Sequence, residues 1–338
     1  MRGRYSNKVC AIKKSRRENE NPFILKNRGA PPYTMRAFSL FPFRYHDCEG
    51  KLMKRVIHSL MMLAATPAVS AGAAEQAGGY FDDWYGRVSA AQSSQPHWMT
   101  PLMTVTPRLE QEFRYDQYWE HTHAGADIAI ADAGKGLELI PTTTNEVLTN
   151  LPPYEDRTGK TPSFGLGDWP VLTIKQRLLS ANEDNGNYIV TAFVGVQAPL
   201  GASAFTNHAW VFTPTLAAGK GWGDFDIQGT ISASLPTAHS DVIGTAIVGN
   251  LALQYHLGEY FWPEIEFNGT TWSGGVRGGL SQLFMTTGVI LGRFPISDYS
   301  KIIVGGGYQV ALTDNIASAK AVTPVYERNW LLSTRLAF

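Results

Sequence analysis

The stretch from Asp224 to Leu235, DFDIQGTISASL, decides the architecture. Asp224, Asp226, Gln228, Thr230, Ser232 and Ser234 fall on one side of an extended chain, and Phe225, Ile227, Ile231, Ala233 and Leu235 fall on the other. Only a period of two separates them so cleanly, and that is the period of a β-strand. In a soluble sandwich the apolar side would face a core; in a membrane barrel it faces lipid while the polar side lines the lumen.

The same alternation recurs on both sides of this stretch. Ile247, Leu251, Leu253, Tyr255 and Leu257 oppose Asn250, Gln254 and His256, and Leu172, Ile174 and Leu178 oppose Thr173, Lys175 and Arg177. Leu109, Phe113, Tyr115 and Trp119 oppose Glu110, Glu112, Arg114 and Asp116. Turn residues divide the chain into twelve expected strands: 108–119, 135–141, 145–152, 168–179, 187–198, 208–217, 223–235, 245–257, 260–268, 280–293, 300–312 and 328–338. The fold class is therefore all-β, an antiparallel up-and-down transmembrane barrel occupying 108–338. An even strand number places both termini on the periplasmic side, with short turns there and long loops such as Pro153 to Gly167 and Thr313 to Glu327 outside.

Composition agrees: 12% aromatic residues, 33 Gly and only 17% charged residues suit many short strands and turns. No apolar run reaches the roughly 18 residues of a membrane-spanning helix, and a barrel needs none because its strands satisfy their backbone groups sideways. The overall charge of zero conceals two unequal parts. Residues 1–71 carry 14 Lys and Arg against 4 Asp and Glu, a net +10, and residues 72–338 carry 15 against 25, a net −10. Both cysteines, Cys10 and Cys48, lie in the first part, so thiolate metal sites, cysteine nucleophiles and disulfides are excluded from the second.

The boundary between the two parts reads as an export signal. Lys51, Lys54 and Arg55 precede an apolar stretch from Val56 to Ala65, then come Pro67 and small residues ending in Val69-Ser70-Ala71. Residues 53–71, opened by Met53, are expected to be a signal peptide cut after Ala71; Ala73 offers a second site. Residues 1–52 are expected to be an upstream start assigned in error or an extension. The segment 72–107 is expected to be periplasmic, with Tyr80, Phe81, Trp84, Tyr85 and Val88 on one face of a short helix; it either plugs the lumen, lies on the membrane surface or trails as a tail. Pro96, Pro101 and Pro107 prevent a long helix there.

At the other end, Asn329 to Phe338 reads NWLLSTRLAF. Trp330, Leu332, Leu336 and Phe338 share one face and Asn329, Ser333 and Arg335 the other. A strand closed by a terminal aromatic resembles the signal that outer-membrane assembly machinery recognises. That machinery, outer-membrane lipid and a small-molecule solute are the expected partners, in the bacterial outer membrane.

The stretch from about Arg108 to Phe338 resembles the outer-membrane transporters grouped as the "MetA pathway of phenol degradation" barrel family. The residues that carry the resemblance are GLELIP at 136–141, LPPY at 151–154, GLGDWP at 165–170, KQRLL at 175–179 and TPTLAAGKGWGDFDIQ at 213–228. It implies a barrel, with a family link to the uptake of aromatic compounds.

Candidate lumen-lining residues are Lys175, Arg177, Asp224, Asp226, Gln228, Glu264, Glu266 and Arg335, whose opposite charges either set selectivity across an open lumen or pair and fill it. His121 and His123 lie two apart without a readable third ligand, and no GxSxG or HExxH occurs, so no catalytic residue, metal or cofactor is expected. Gly305, Gly306 and Gly307 lack phosphate-loop spacing and are expected to bend a strand. The acidic residues 72–338 contain no basic stripe for nucleic acid. The expected function is passive diffusion of small, hydrophobic or aromatic molecules, the alternatives being a closed structural or ligand-binding barrel and a lipid-modifying enzyme.

Overall fold

The computed structural model describes residues 79–132, 136–313 and 325–338. The chain divides into two units, Met1–Glu75 and Gln76–Phe338, and all described residues belong to the second. The expected extension, signal peptide and Ala71 cleavage site lie outside the described residues, as do 72–78 and most of the loop following Thr313.

Among the described residues, fifteen strands form one antiparallel sheet that closes on itself as twelve staves. The first is β1 (Glu112–Thr122). The second is β2 (Asp127–Ala131) with β3 (Gly136–Thr142), the third β4 (Asn145–Thr149) with β5 (Tyr154–Arg157), and the fourth β6 (Ser163–Leu166) with β7 (Trp169–Ala181). Single strands make the rest: β8 (Tyr188–Ala198), β9 (Val211–Trp222), β10 (Phe225–Pro236), β11 (Thr245–Tyr255), β12 (Phe261–Ser273), β13 (Ser281–Pro295), β14 (Lys301–Ala311) and β15 (Tyr326–Ala337). Closure is the pairing of β15 with β1, in register from Glu112 opposite Ala337 to His121 opposite Arg328.

Period-two patterning becomes a two-sided wall. Phe113, Tyr115 and Trp119 on β1 and Trp330, Leu332 and Leu336 on β15 are exposed on the outside, whereas Arg114, Asp116, Ser333 and Arg335 between them are buried inside. Ile231, Leu251, Ile265 and Leu291 continue the apolar belt around the ring. A soluble monomer rarely exposes a contiguous apolar patch above a few hundred Å². A continuous belt over a charged interior belongs in hydrocarbon, and this is the architecture of an outer-membrane barrel.

Several expected boundaries shift. The first strand begins at Glu112 because residues 108–111 still belong to the chain entering the barrel. The expected loop Pro153 to Gly167 is mostly strand: β5 and β6 pair with each other, and β5 pairs with β2, lengthening the second, third and fourth staves. Asp224 occupies the tight turn between β9 and β10 with Gly223, whose φ is +60°, and is exposed there instead of facing the lumen.

Candidate functional site

The lumen is occupied by the chain itself. Helix α1 (Trp84–Ser93) lies at the end of the barrel that carries the short turns: Asn182 donates from Nδ2 to the Ser93 carbonyl (3.0 Å), Ser180 from Oγ to the Ser94 carbonyl (2.7 Å) and Tyr80 from its hydroxyl to the Pro141 carbonyl (2.7 Å). Val88 and Ala91 bury themselves against Leu109 and Ile140. Tyr80, Phe81 and Trp84 form an aromatic cluster, but Tyr80 and Phe81 precede the helix instead of sharing its face, and Tyr85 is exposed, so of the five expected residues only Trp84 and Val88 turn inward from α1.

From Gln95 the chain runs as an irregular strap to β1. Pro96, Pro101 and Pro107 deny it a regular ladder, so its buried backbone groups need other partners. Inward side chains of the wall supply them. Glu264 accepts from the Leu102 amide (3.0 Å), and Glu266 accepts from Met103 (2.7 Å) and Thr104 (2.6 Å). Arg114 donates to the Leu102 carbonyl (2.6 Å), Arg335 to Thr100 (2.6 Å), Gln228 to Met99 (2.8 Å), Thr191 to Pro107 (2.5 Å) and Lys175 to Arg108 (3.4 Å), while Arg177 donates to Ala91 of α1 (2.9 Å). These donors and acceptors come from β1, β7, β8, β10, β12 and β15. A segment within reach of all six runs inside the ring.

Apolar anchors fix its height. Leu102 is fully buried, and a Cβ added at Gly288, Gly305 or Gly307 would stand 2.4, 2.7 or 3.0 Å from its methyl groups. Those glycines form a socket, which accounts for Gly305 and Gly307, while Gly306 between them has no contact with Leu102. Trp98 is seated similarly, 2.5 Å from where a Cβ on Gly219 would project.

Around the strap the charges are paired. Lys175 meets Glu146 (2.8 Å) and Glu138 (3.6 Å), Arg114 meets Asp116 (2.8 Å) and Arg108 meets Glu110 (3.0 Å), all nearly shielded from solvent. Of the expected lining residues, Lys175, Arg177, Asp226, Gln228, Glu264, Glu266 and Arg335 are buried inside the ring, and Asp224 is the exception already described. A cavity of about 410 Å³ remains between α1, the strap and the wall, bordered by Arg108, Glu110, Glu112, Arg293 and Arg335.

Toward the long loops the lining changes character. Asn250 donates to Thr230 (2.9 Å), Asn268 to Asn250 (3.1 Å) and Gln309 to Asn268 (3.1 Å), while the Tyr326 hydroxyl donates to Gln309 (2.5 Å). This neutral amide and hydroxyl girdle was not singled out by sequence; its only signal is that each member sits at an inward position of its strand. His121 pairs with Asp127 (2.6 Å) and His123 with Glu327, so these histidines face separate acids. Among the described residues no group of three His, Cys, Asp or Glu converges on a metal site.

At the short-turn end, Glu183 accepts from both the amide (2.6 Å) and the ring (2.8 Å) of His97, where the strap enters. Partial burial pushes its carboxyl up, and the two His97 bonds more than reverse this, leaving it below the ordinary glutamate range.

Among solved structures, the chain is similar to the COG4313 outer membrane channel from Pseudomonas putida F1, with 13% identity, a TM-score of 0.47 and coverage of 67% of this chain and 92% of that one. It is also similar to the NanC porin, with 7% identity, a TM-score of 0.42 and coverage of 66% and 98%. No curated protein matches the chain by sequence. The family model described as "Putative MetA-pathway of phenol degradation" matches residues 110–338, the whole barrel, and the chain belongs to that family.

Proposed function

We infer that this barrel is an outer-membrane channel for small molecules, held shut along its axis by the strap 95–111 and its cap α1, with the short-turn end and both termini in the periplasm. One observation carries the reading: the lumen is filled by a tethered segment bonded to wall side chains, not by wall side chains alone. Residues 95–110 are bonded to the wall by side chains and can leave without breaking a ladder bond. Small aromatic solutes suit the girdle, whose own amides and hydroxyls are uncharged although Glu120 on β1 stands at the same level; catalysis and a purely structural role gain nothing from a removable strap. Residues 53–71 then serve as the export signal cut after Ala71, and the outward Trp330, Leu332 and Leu336 with the terminal Phe338 as the assembly signal.

The test is single-channel current in a planar bilayer for a variant carrying Leu102→Cys and Gly305→Cys, whose side chains meet in the socket. Oxidation is expected to silence the channel and reduction to restore discrete steps. A correctly folded barrel that stays silent after reduction, and also after removal of residues 79–107, overturns the channel reading.

A further inference from the structure

We propose that the cavity beside α1 is a binding site for a small monocarboxylate that also carries a hydroxyl, a site that stands whether or not the barrel conducts. Its volume of about 410 Å³ falls within the range of small-molecule pockets, about 300–1,000 Å³. It lies between α1, the strap and the ends of β13, β14 and β15, and the exposed Ser89, Tyr299 and Lys301 on its border open it to solvent at the short-turn end.

The lining is unbalanced in charge. Arg108, Arg293, Arg335 and Lys301 border the cavity against Glu110 and Glu112, and counting a terminal carboxylate on Phe338 still leaves the cations in excess. Arg108 pairs with Glu110 (3.0 Å). Arg293 and Arg335 stand outside every ion pair among the described residues. Arg293 donates to the carbonyls of His97 (2.7 Å) and Trp98 (2.8 Å), and Arg335 to those of Thr100 (2.6 Å) and Pro101 (3.3 Å) and to Ser333 Oγ (3.2 Å). Neutral acceptors satisfy the hydrogen bonds of a guanidinium but not its charge, and a buried charge without a counter-charge is costly.

The backbone is bent to supply one of these cations. Arg293 is the extra residue of a bulge between Gly292, opposite Ile303, and Phe294, opposite Ile302, and its φ is +62°, a region that L side chains rarely occupy. Strain of this kind persists where the surrounding structure enforces it, and ligand clamps are one such place.

Two buried atoms on the lining lack a protein partner and define the ligand. Nε of Arg108 donates to nothing and Oε1 of Glu112 accepts from nothing, on side chains each 2% exposed. A carboxylate meets the free donor and the cationic excess together, and a hydroxyl meets the free acceptor. Water can satisfy either atom but brings no negative charge. Val88, Met99 and Ile303 on the same lining offer contact to an apolar body.

The test is isothermal titration of the full chain, folded in detergent, with para-hydroxybenzoate. Its comparators are benzoate, which lacks the hydroxyl, and para-hydroxybenzyl alcohol, which lacks the carboxylate. Para-hydroxybenzoate is expected to bind saturably at one site, and each comparator at least about tenfold more weakly, the effect of one lost hydrogen bond to a charged group. Arg293→Gln is expected to abolish the preference for para-hydroxybenzoate over the alcohol, and Arg293→Lys to keep part of it. Because Arg293 also holds the strap, Ser89→Glu supplies an independent reading from an exposed position on the cavity border. It should weaken the carboxylate roughly threefold and leave the alcohol unchanged. Para-hydroxybenzoate that binds no better than either comparator, or equally well to the wild type, Arg293→Gln and Ser89→Glu, overturns the proposal. So does an Arg293→Gln variant that weakens acid and alcohol alike, since that is loss of shape and not of charge recognition.

Discussion

Gly305 shows how much the closed state owes to one absent side chain. Gly305→Ala sets a methyl 2.7 Å from a methyl of Leu102 and 3.4 Å from Ile290, so the Leu102 side chain must shift. Overpacking of this kind costs about 1–3 kcal/mol, and here the strap yields, because the wall is tied by two ladders and the strap by none. The expected result is a channel open roughly five to 150 times more often in bilayer recordings, with Gly305→Ala combined with Leu102→Ala returning to low activity. A cycle in which the two changes add would show that the socket does not hold the strap. Glu183 sets a second dependence. Its folded carboxyl titrates below its unfolded one, so its contribution to holding His97 is complete above the ordinary glutamate range and fades as pH falls through the lowered folded value. Opening is expected to rise under acid on the short-turn side, and Glu183→Gln should give the acid-side opening at neutral pH with no further response to acid.

Helix α1 is thinly anchored. It buries only Val88 and Ala91 within its span, helped by Trp84. Burial of a valine is worth about 1.5–3 kcal/mol, so Val88→Asp should detach the cap while leaving the ring intact. Hydrogen exchange would then be fast across Trp84–Ser93 and unchanged in β8–β15; loss of protection in the strands would show instead that the cap supports the barrel. The elements legible in the sequence were those with unbroken period-two runs, β8 to β15, whose ends fall within five residues of expectation, the largest differences being the C-terminal ends of β9 and β12. The second to fourth staves were legible only in part, because Pro152, Pro153 and Gly167 read as a loop while the strands resume beyond them. The strap was harder still: it has no period, and its partners are wall residues such as Glu264 and Arg335 that lie far away in sequence. Facing charges could be placed inward from alternation, but that Glu266 would serve two backbone amides could not.

The whole molecule is built inside out, with buried charge within and exposed hydrocarbon without, and this inversion makes its own prediction. Ile231 lies near the middle of β10, is 59% exposed on the outer face and contacts no lumen group. In a soluble protein, arginine at so exposed a position changes stability by at most about 0.5 kcal/mol. On a lipid-facing barrel wall near the bilayer midplane it costs about 2–4 kcal/mol. Urea titration of Ile231→Arg folded into phospholipid vesicles should show the larger loss, with similar losses at Leu251 and Ile265 falling off toward the strand ends as depth decreases. A uniform loss below the smaller figure would mean that the apolar belt faces something other than hydrocarbon, such as a partner surface that tolerates a charge.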